Sequence, residues 1–169
     1  MQAWKNQVVN KLTEGLTGLF REQGIEVIQG KAYFQSSNRV GIEGGSLEVH
    51  AVEFKKAVIG TGGAPIEVPG LKFDGKDILS STEALELEAA PAELVVVGGG
   101  YIGVELGTAF AKFGSKVAIV EFAGRLLPGI DADLVAVVEQ KLKALGVQVL
   151  VNAKATGAVV HDLNQTSGE

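Results

Sequence analysis

Hydrophobic residues in the first third of the chain change from a helical to an extended spacing. From Val8 to Phe20 they recur every three or four positions, which predicts a helix that ends at Gly24. Short apolar runs, separated by glycines and Ser/Asn clusters, follow this helix and predict a small antiparallel β meander. The predicted strands are Ile25 to Ile28, Lys31 to Phe34, Val40 to Ile42, Leu47 to Val49 and Ala57 to Ile59.

The pattern changes again further along the chain. Residues 60–92 are rich in turn-forming residues, so we place a crossover between two domains there, with limits 1–91 and 92–169. Beyond the crossover, an apolar run at residues 94–97 precedes an amphipathic segment, and a second β-rich run follows at residues 117–120. Strands that alternate with helices predict a parallel sheet with right-handed crossovers.

A second helix is predicted in this domain, from about Asp131 to Leu145. Gly146 stands where the C-terminal glycine of a helix is expected, and residues 147–151 are the next predicted strand. The predicted apolar stripe of this helix is Leu134, Val138, Leu142 and Leu145.

Composition removes several classes of function. The chain has 169 residues, of which 46% are apolar, and a formal net charge of -5. This acidic balance disfavours a nucleic-acid partner, and the absence of any long apolar run disfavours a membrane span. The sequence contains no cysteine, which removes disulfides, thiolate catalysis and cysteine metal sites from this chain and fits a cytoplasmic location. No metal site is predicted, and the two histidines, His50 and His161, are interpreted as surface or loop residues.

A GxGxxG motif lies directly after the apolar run at residues 94–97. Gly98 permits the sharp turn out of the strand, and Gly100 lets the backbone approach a diphosphate because it has no Cβ. Gly103 and Gly107 allow the following helix to lie close on the sheet. The free N–H groups and the macrodipole at the N-terminus of that helix favour a negatively charged ligand. The sequence therefore predicts a βαβ unit that binds a dinucleotide.

An acidic residue, Glu121, ends the second strand of this unit, about 20 residues after the motif. A carboxylate at this position accepts hydrogen bonds from the adenine ribose hydroxyls and repels a ribose phosphate, so NAD is favoured over NADP. Arg125 is the next basic residue, and we interpret it as a loop residue rather than a phosphate ligand.

A second strand-to-glycine turn runs from Val58 to Pro65 and reads VIGTGGAP. Together with the dinucleotide motif, this segment resembles the flavoprotein disulfide reductase family. In that family a strand ending in Ala-Thr-Gly-Ser-x-Pro passes the flavin before the chain enters the NAD domain. Thr61-Gly62 and Pro65 match that pattern. The departures from it are Gly60, Gly63 and Ala64, which replace Ala, Ser and a frequent Arg.

Within the family the likeness is strongest to the dihydrolipoamide dehydrogenases and covers nearly the whole chain. Residues 4–13 resemble the long helix of the flavin domain, and residues 24–32 resemble the strand and turn beside the flavin adenosine. Residues 98–107 resemble the NAD fingerprint, and Leu126 to Pro128 also fit. The fold implied is α/β, with part of an FAD-binding domain (a helix plus an antiparallel β meander) followed by a Rossmann-like βαβαβ NAD-binding domain that is incomplete at its C-terminus.

The resemblance also implies roles for individual residues. Tyr101 matches a position that gates the nicotinamide pocket in relatives, with plain packing as the alternative. Glu105 matches a carboxylate that faces the nicotinamide carboxamide, with a solvated helix face as the alternative, and Ala155 is expected to approach the dinucleotide through its backbone. The implied NAD contacts are Gly98, Gly99, Gly100, Tyr101, Ile102, Gly103, Glu105, Glu121 and Ala155, and the implied FAD contacts are Ala32, Thr61 and Gly62.

The family reaction passes a hydride from dihydrolipoamide to NAD through a redox disulfide and FAD. The chain lacks the cysteine pair, the flavin-phosphate glycine motif and the His-Glu base of that reaction, so we expect an internal fragment with no catalytic residue of its own. The resemblance implies a homodimeric parent that serves a 2-oxoacid dehydrogenase complex. Two alternatives stay open: another disulfide reductase (mercuric, glutathione or coenzyme A), or a stand-alone NAD-binding module without catalytic activity.

Overall fold

The computed structural model describes residues 1–44 and 50–159. The chain forms two compact units, Met1–Gly63 and a second that begins at Ala64. The strand predicted at Leu47 to Val49, and His161, lie outside the described residues. Residues 64–91 thus belong to the second compact unit, while the assignment of 1–91 and 92–169 to an FAD and an NAD domain stays a prediction.

The first unit consists of a long helix and a three-stranded antiparallel sheet. Helix α1 spans Gln2–Glu22, and strands β1, β2 and β3 span Lys31–Ser36, Arg39–Glu43 and Ala51–Glu53. The strand order is β1-β2-β3, and Ala32 of β1 lies opposite Ile42 of β2. The predicted helix and antiparallel meander are therefore confirmed.

Two of the predicted strands are wrong. Ile25 to Ile28 and Ala57 to Ile59 form neither strand nor helix. Within the described residues no strand runs beside either segment to supply hydrogen-bond partners, and β propensity alone does not hold an extended segment. Val58 is accordingly 97% exposed.

The second unit alternates helices with parallel strands, as predicted. Strand β5 lies between β4 and β6, and both neighbours run parallel to it. The elements are α2 (Ser81–Glu86), β4 (Glu93–Val97), α3 (Tyr101–Lys112), β5 (Lys116–Val120), α4 (Ala132–Ala144) and β6 (Gln148–Leu150).

Helix α2 was not predicted, although its start carries a readable signal. The Ser80 side chain accepts the Thr82 N–H, and Glu83 accepts the Ser80 N–H at 2.8 Å, which forms a capping box. The Ser80 hydroxyl interaction lowers the pKa of Glu83, with further contributions from backbone N–H groups.

Three helices end in the same way, at a glycine with positive φ. Gly24, Gly114 and Gly146 have φ values of 65°, 97° and 75°. In α3, the Gly114 N–H bonds to Ala111 O and the next N–H, that of Ser115, bonds to Phe110 O. This pair of bonds is the Schellman motif, which the other two helices repeat, so the predicted stops at Gly24 and Gly146 are confirmed.

The core of the second unit lies between the sheet and helices α3 and α4. Ile119 on the central strand is fully buried, and Val135 and Leu142 of α4 pack into the same cluster. The stripe predicted for α4 is partly wrong, because Leu134 and Leu145 are exposed. The buried face is instead Val135, Val138 and Leu142, at the i, i+3, i+7 spacing of a helix that packs on one side.

Candidate functional site

The glycine motif forms a tight turn between β4 and α3. Gly98 has a φ of 107°, and its N–H donates to Val120 O at 2.9 Å, which anchors the turn to the neighbouring strand. A Cβ on Gly103 would collide with Gly98 O, and one on Gly107 would lie 3.3 Å from Ile119 Cδ1. Glycine at these positions therefore brings α3 close to the sheet, as predicted from the motif.

The N-terminus of α3 faces open space. Gly100 is the N-cap, and a Cβ built on it would meet no atom within 4 Å. The amides of Tyr101, Ile102 and Gly103 lie in the first helical turn and have no carbonyl four residues back within the helix. These amides and the helix dipole favour an anion at this end.

The carboxylate of Glu121 lies beside this turn. Its Oε2 accepts the Gly99 N–H at 2.6 Å, and its Oε1 accepts the Ala123 N–H at 2.6 Å. An ionised carboxylate has about four lone-pair positions, so each oxygen keeps capacity for one further donor such as a sugar hydroxyl. The structure thus brings together the glycine turn and the acidic residue that the sequence singled out.

A third loop, after β6, is joined to the same edge of the sheet. The Asn152 N–H donates to Ala123 O and the Ala153 N–H donates to Glu121 O, each at 2.9 Å. Asn152 adopts a positive φ of 52°. Ala155 follows this loop and is partly buried. The carboxyl ends of the three parallel strands therefore form one connected edge, which is where open α/β sheets bind ligands.

The remaining α3 candidates lie on the exposed side of the helix. Tyr101 is 70% exposed, and Glu105, one turn further on, is also exposed. Arg125 donates a guanidinium N–H to Pro128 O at 2.8 Å within its own loop. That contact agrees with the interpretation of Arg125 as a loop residue.

The residues proposed for the flavin side lie in the other unit. Ala32 is on β1, whereas Thr61 and Gly62 belong to an exposed segment outside helices and strands. Gly62 has a φ of 71°, and a Cβ on it would meet nothing within 4 Å. Among the described residues no hydrogen bond links these three positions.

Sequence reasoning noted that Leu126 to Pro128 fit the family but assigned no role to the residues that pack behind the glycine turn. Leu126 is fully buried, and a Cβ on Gly99 would collide with its Cδ2. The neighbouring Leu127 N–H donates to Gly99 O at 2.9 Å. The middle glycine of the Gly98-Gly99-Gly100 run was the available signal, because a residue without Cβ at that position indicates a close neighbour.

Two kinds of feature are absent from the described residues. None of the helices there combines the length and the apolarity that a bilayer crossing demands. No group of three or more His, Cys, Asp or Glu residues in the same part of the chain is arranged to hold a metal ion.

Known proteins resemble this chain in both sequence and fold. Dihydrolipoyl dehydrogenase of Geobacillus stearothermophilus is 48% identical over 158 residues, and that of Bacillus subtilis strain 168 is 44% identical over 159 residues. These alignments cover 94% and 93% of this chain but 33% of each relative, so the chain spans about one third of the length of the curated relatives it matches.

The fold of this chain is also found in solved structures, of which two are examples. LpdA from Mycobacterium tuberculosis has a TM-score of 0.81 at 27% identity, covering 92% of this chain and 35% of that chain. The HOCl-induced flavoprotein disulfide reductase RclA from Escherichia coli has a TM-score of 0.75 at 34% identity, covering 90% and 35%.

The model of one protein family matches nearly all of the sequence, from residue 2 to residue 167. The predicted fold class and family are therefore confirmed. The chain belongs to the pyridine nucleotide-disulphide oxidoreductase family.

Proposed function

We propose that the second unit binds NAD. The diphosphate lies at the N-terminal amides of α3, from Gly100 to Gly103, and the Glu121 carboxylate accepts the adenine ribose hydroxyls. The observation that carries this proposal is the hydrogen bond from the Gly99 N–H to Glu121, because it puts the acidic group beside the open amides. Gly98, Gly99 and Ile102 contribute backbone, while Tyr101, Glu105 and Ala155 are proposed to lie along the nicotinamide half or the rest of the dinucleotide.

The same geometry supports NAD over NADP. Glu121 is negatively charged and would repel a phosphate on the ribose. Arg125, the nearest cation in sequence, already donates to Pro128 O. Isothermal titration of the 169-residue chain with each dinucleotide tests this: we expect NAD to bind at least tenfold more tightly than NADP. Equal affinities would contradict the assignment of Glu121.

We infer that a longer protein containing this chain oxidises dihydrolipoamide with NAD. This inference rests on the 44–48% identity to dihydrolipoyl dehydrogenases. FAD supplies the two-electron chemistry in that reaction, and the protein orients it. Because the sequence has no cysteine, we expect no lipoamide turnover from this chain alone. An assay with dihydrolipoamide, FAD and NAD checks this, and measurable turnover would contradict it.

FAD binding is proposed for the first unit through Ala32, Thr61 and Gly62. Thr61 and Gly62 match the family turn that passes the flavin, but the sequence has no glycine motif for the flavin phosphates. We therefore expect FAD to bind much more weakly than NAD. Calorimetry that finds tight FAD binding and no NAD binding would reverse this ranking.

A second candidate is another flavoprotein disulfide reductase, which the 34% identity to RclA favours. The higher identity to dihydrolipoyl dehydrogenases outweighs the identity to RclA.

For the longer protein we propose a homodimer within a 2-oxoacid dehydrogenase complex, in the cytoplasm. Co-purification with such a complex from a cytoplasmic fraction is the test, and a monomer in another compartment would contradict it.

A further inference from the structure

A leucine in the candidate site has a backbone conformation that leucine rarely adopts. Leu127 has a φ of 48°, in the left-handed region where the Cβ of an L-residue is crowded. Asn152, with a φ of 52°, shares this conformation, but asparagine tolerates it far better. Such an outlier persists only where its surroundings hold it, and these outliers concentrate at functional sites.

Every part of Leu127 is engaged by its surroundings. Its side chain packs against the core cluster of the second unit. Its N–H donates to Gly99 O at 2.9 Å, and its carbonyl accepts the Ile130 N–H at 2.8 Å. The packed side chain therefore fixes the backbone in the geometry that directs the N–H to the glycine turn.

The bond to Gly99 O controls the peptide that leads into α3. The carbonyl of Gly99 and the N–H of Gly100 belong to one planar trans peptide, so they point in opposite directions. When Leu127 holds the carbonyl, the Gly100 N–H is turned away from the Leu127 loop. Gly100 is exposed, and its N–H has no hydrogen-bond partner among the described residues. The Gly99 N–H is fixed by Glu121, so both flanking peptides of Gly99 are oriented.

We propose that Leu127 is a positioning residue for the diphosphate of the bound dinucleotide. It acts through the Gly99–Gly100 peptide and orients the first ligand-facing amide ahead of α3. This inference rests on the proposed function. It adds a residue from a different loop, with a role that depends on backbone conformation.

A pair of substitutions separates this role from simple packing. Leu127→Ala removes the side chain that holds the left-handed geometry, whereas Leu127→Gly removes the same side chain but adopts that geometry freely. We expect NAD to bind Leu127→Ala about fivefold more weakly than Leu127→Gly, in line with the cost of a left-handed residue. A pure packing role predicts equal losses in both variants.

Two ligands locate the effect within the site. Calorimetric or NMR titration of each variant with NAD and with adenosine compares a ligand that has the diphosphate with one that lacks it. We expect the Ala/Gly difference for NAD and none for adenosine, because adenosine has no diphosphate for the Gly100 N–H to contact. Equal NAD affinities in the two variants, or an equal loss for adenosine, would overturn the proposal.

Gly75→Ala is the matched control. Gly75 has a φ of 72° in an exposed turn, and a Cβ there meets nothing within 4 Å, so the variant carries a similar backbone cost away from the site. We expect a lower melting temperature and unchanged NAD affinity, and an equal loss of NAD affinity would overturn the proposal by pointing to general destabilisation. Failure of the unsubstituted chain to bind NAD would instead overturn the proposed function, and with it the role of Leu127.

Discussion

Two segments of the chain are alike in sequence and different in structure. Each is an apolar run that leads into a cluster of glycines, at residues 94–100 in the second unit and 57–63 in the first. The run at residues 94–97 forms β4 and pairs with β5 along its length. It ends in a turn that hydrogen bonds to Val120 and Glu121 hold in place. The run at residues 57–59 forms no strand, and the glycines that follow it have open space around them.

A glycine turn therefore presents its backbone amides only where neighbouring elements fix it. Around Gly99, the Glu121 carboxylate, the N–H donor of Leu127 and the buried Leu126 side chain meet within one compact unit. Around Gly62, the described residues supply no comparable contacts. We therefore expect substitutions in the two segments to differ strongly in effect.

The largest expected effect is in the core behind the site. Ile119→Ala should lower the free energy of unfolding of the second unit by about 2–5 kcal/mol, because the side chain is fully buried under α3. Ile59→Ala, at a 70% exposed position in the other run, should change the free energy of unfolding of the first unit by less than about 0.5 kcal/mol. Urea unfolding followed by circular dichroism compares the two variants. Similar losses would mean that the 57–63 segment is packed after all.

The next effect is steric and lies in the glycine motif. Gly103→Ala places a Cβ against Gly98 O, so the helix must shift at a cost of about 1–3 kcal/mol, and we expect NAD binding to be lost. Gly60→Ala is the matched control, since a Cβ there meets nothing within 4 Å. Thermal melts and NAD titration measure both. Undiminished NAD binding by Gly103→Ala would contradict the close packing of α3 on the turn.

A smaller effect is expected at the carboxylate. Glu121→Gln replaces an oxygen that accepts an N–H with a donating NH₂ group, so either Gly99 or Ala123 loses its acceptor. A lost bond to a charged group costs about 1.5–3 kcal/mol, and we expect at least tenfold weaker NAD binding. Glu139→Gln, on the exposed face of α4, should leave NAD affinity unchanged. Calorimetry measures the NAD affinity of both variants, and equal affinities would contradict the proposed role of Glu121.

The smallest expected effect is an acid-dependent loosening of the loop before α2. Asp74 Oδ1 accepts N–H groups from Ile78, Lys76 and Asp77, each at 2.8 Å, and these bonds lower the pKa of Asp74, that of Ile78 most. A lowered folded-state pKa means that this stabilisation is present above the ordinary value of 3.8 and is lost as the pH falls below it. Asp74→Asn should flatten the acid limb of a stability-versus-pH curve, and an unchanged limb would contradict this.

Local signals in the sequence predicted much of the second unit. Gly114 and Gly146 end their helices because the Schellman bonds need a positive φ at that position, and this requirement is visible in one residue. The strand at Ala57 to Ile59 was predicted wrongly, because pairing depends on a neighbour that local sequence does not specify. The outward-facing Leu134 has the same non-local origin, because it depends on which face of α4 packs. Helix α2 was missed for a different reason, since its local signal, the capping box, is only four residues long.

The candidate site was predicted in its parts but not in its connections. Gly98 to Gly103 and Glu121 follow from motif and spacing. The roles of Leu126 and Leu127 could not be predicted, since a close approach behind Gly99 and a positive φ at a leucine arise from tertiary packing. Local reasoning does not place a bulky residue such as leucine in that conformation.

The most direct test of the central claim is a titration of the ¹⁵N-labelled 169-residue chain with NAD, followed by ¹H–¹⁵N NMR spectroscopy. We expect the largest shifts in the amides of Gly100 to Gly103 and Ala123, and we expect NADP at the same concentration to leave them nearly unchanged. Shifts centred on Thr61 and Gly62, or none at the start of α3, would contradict it.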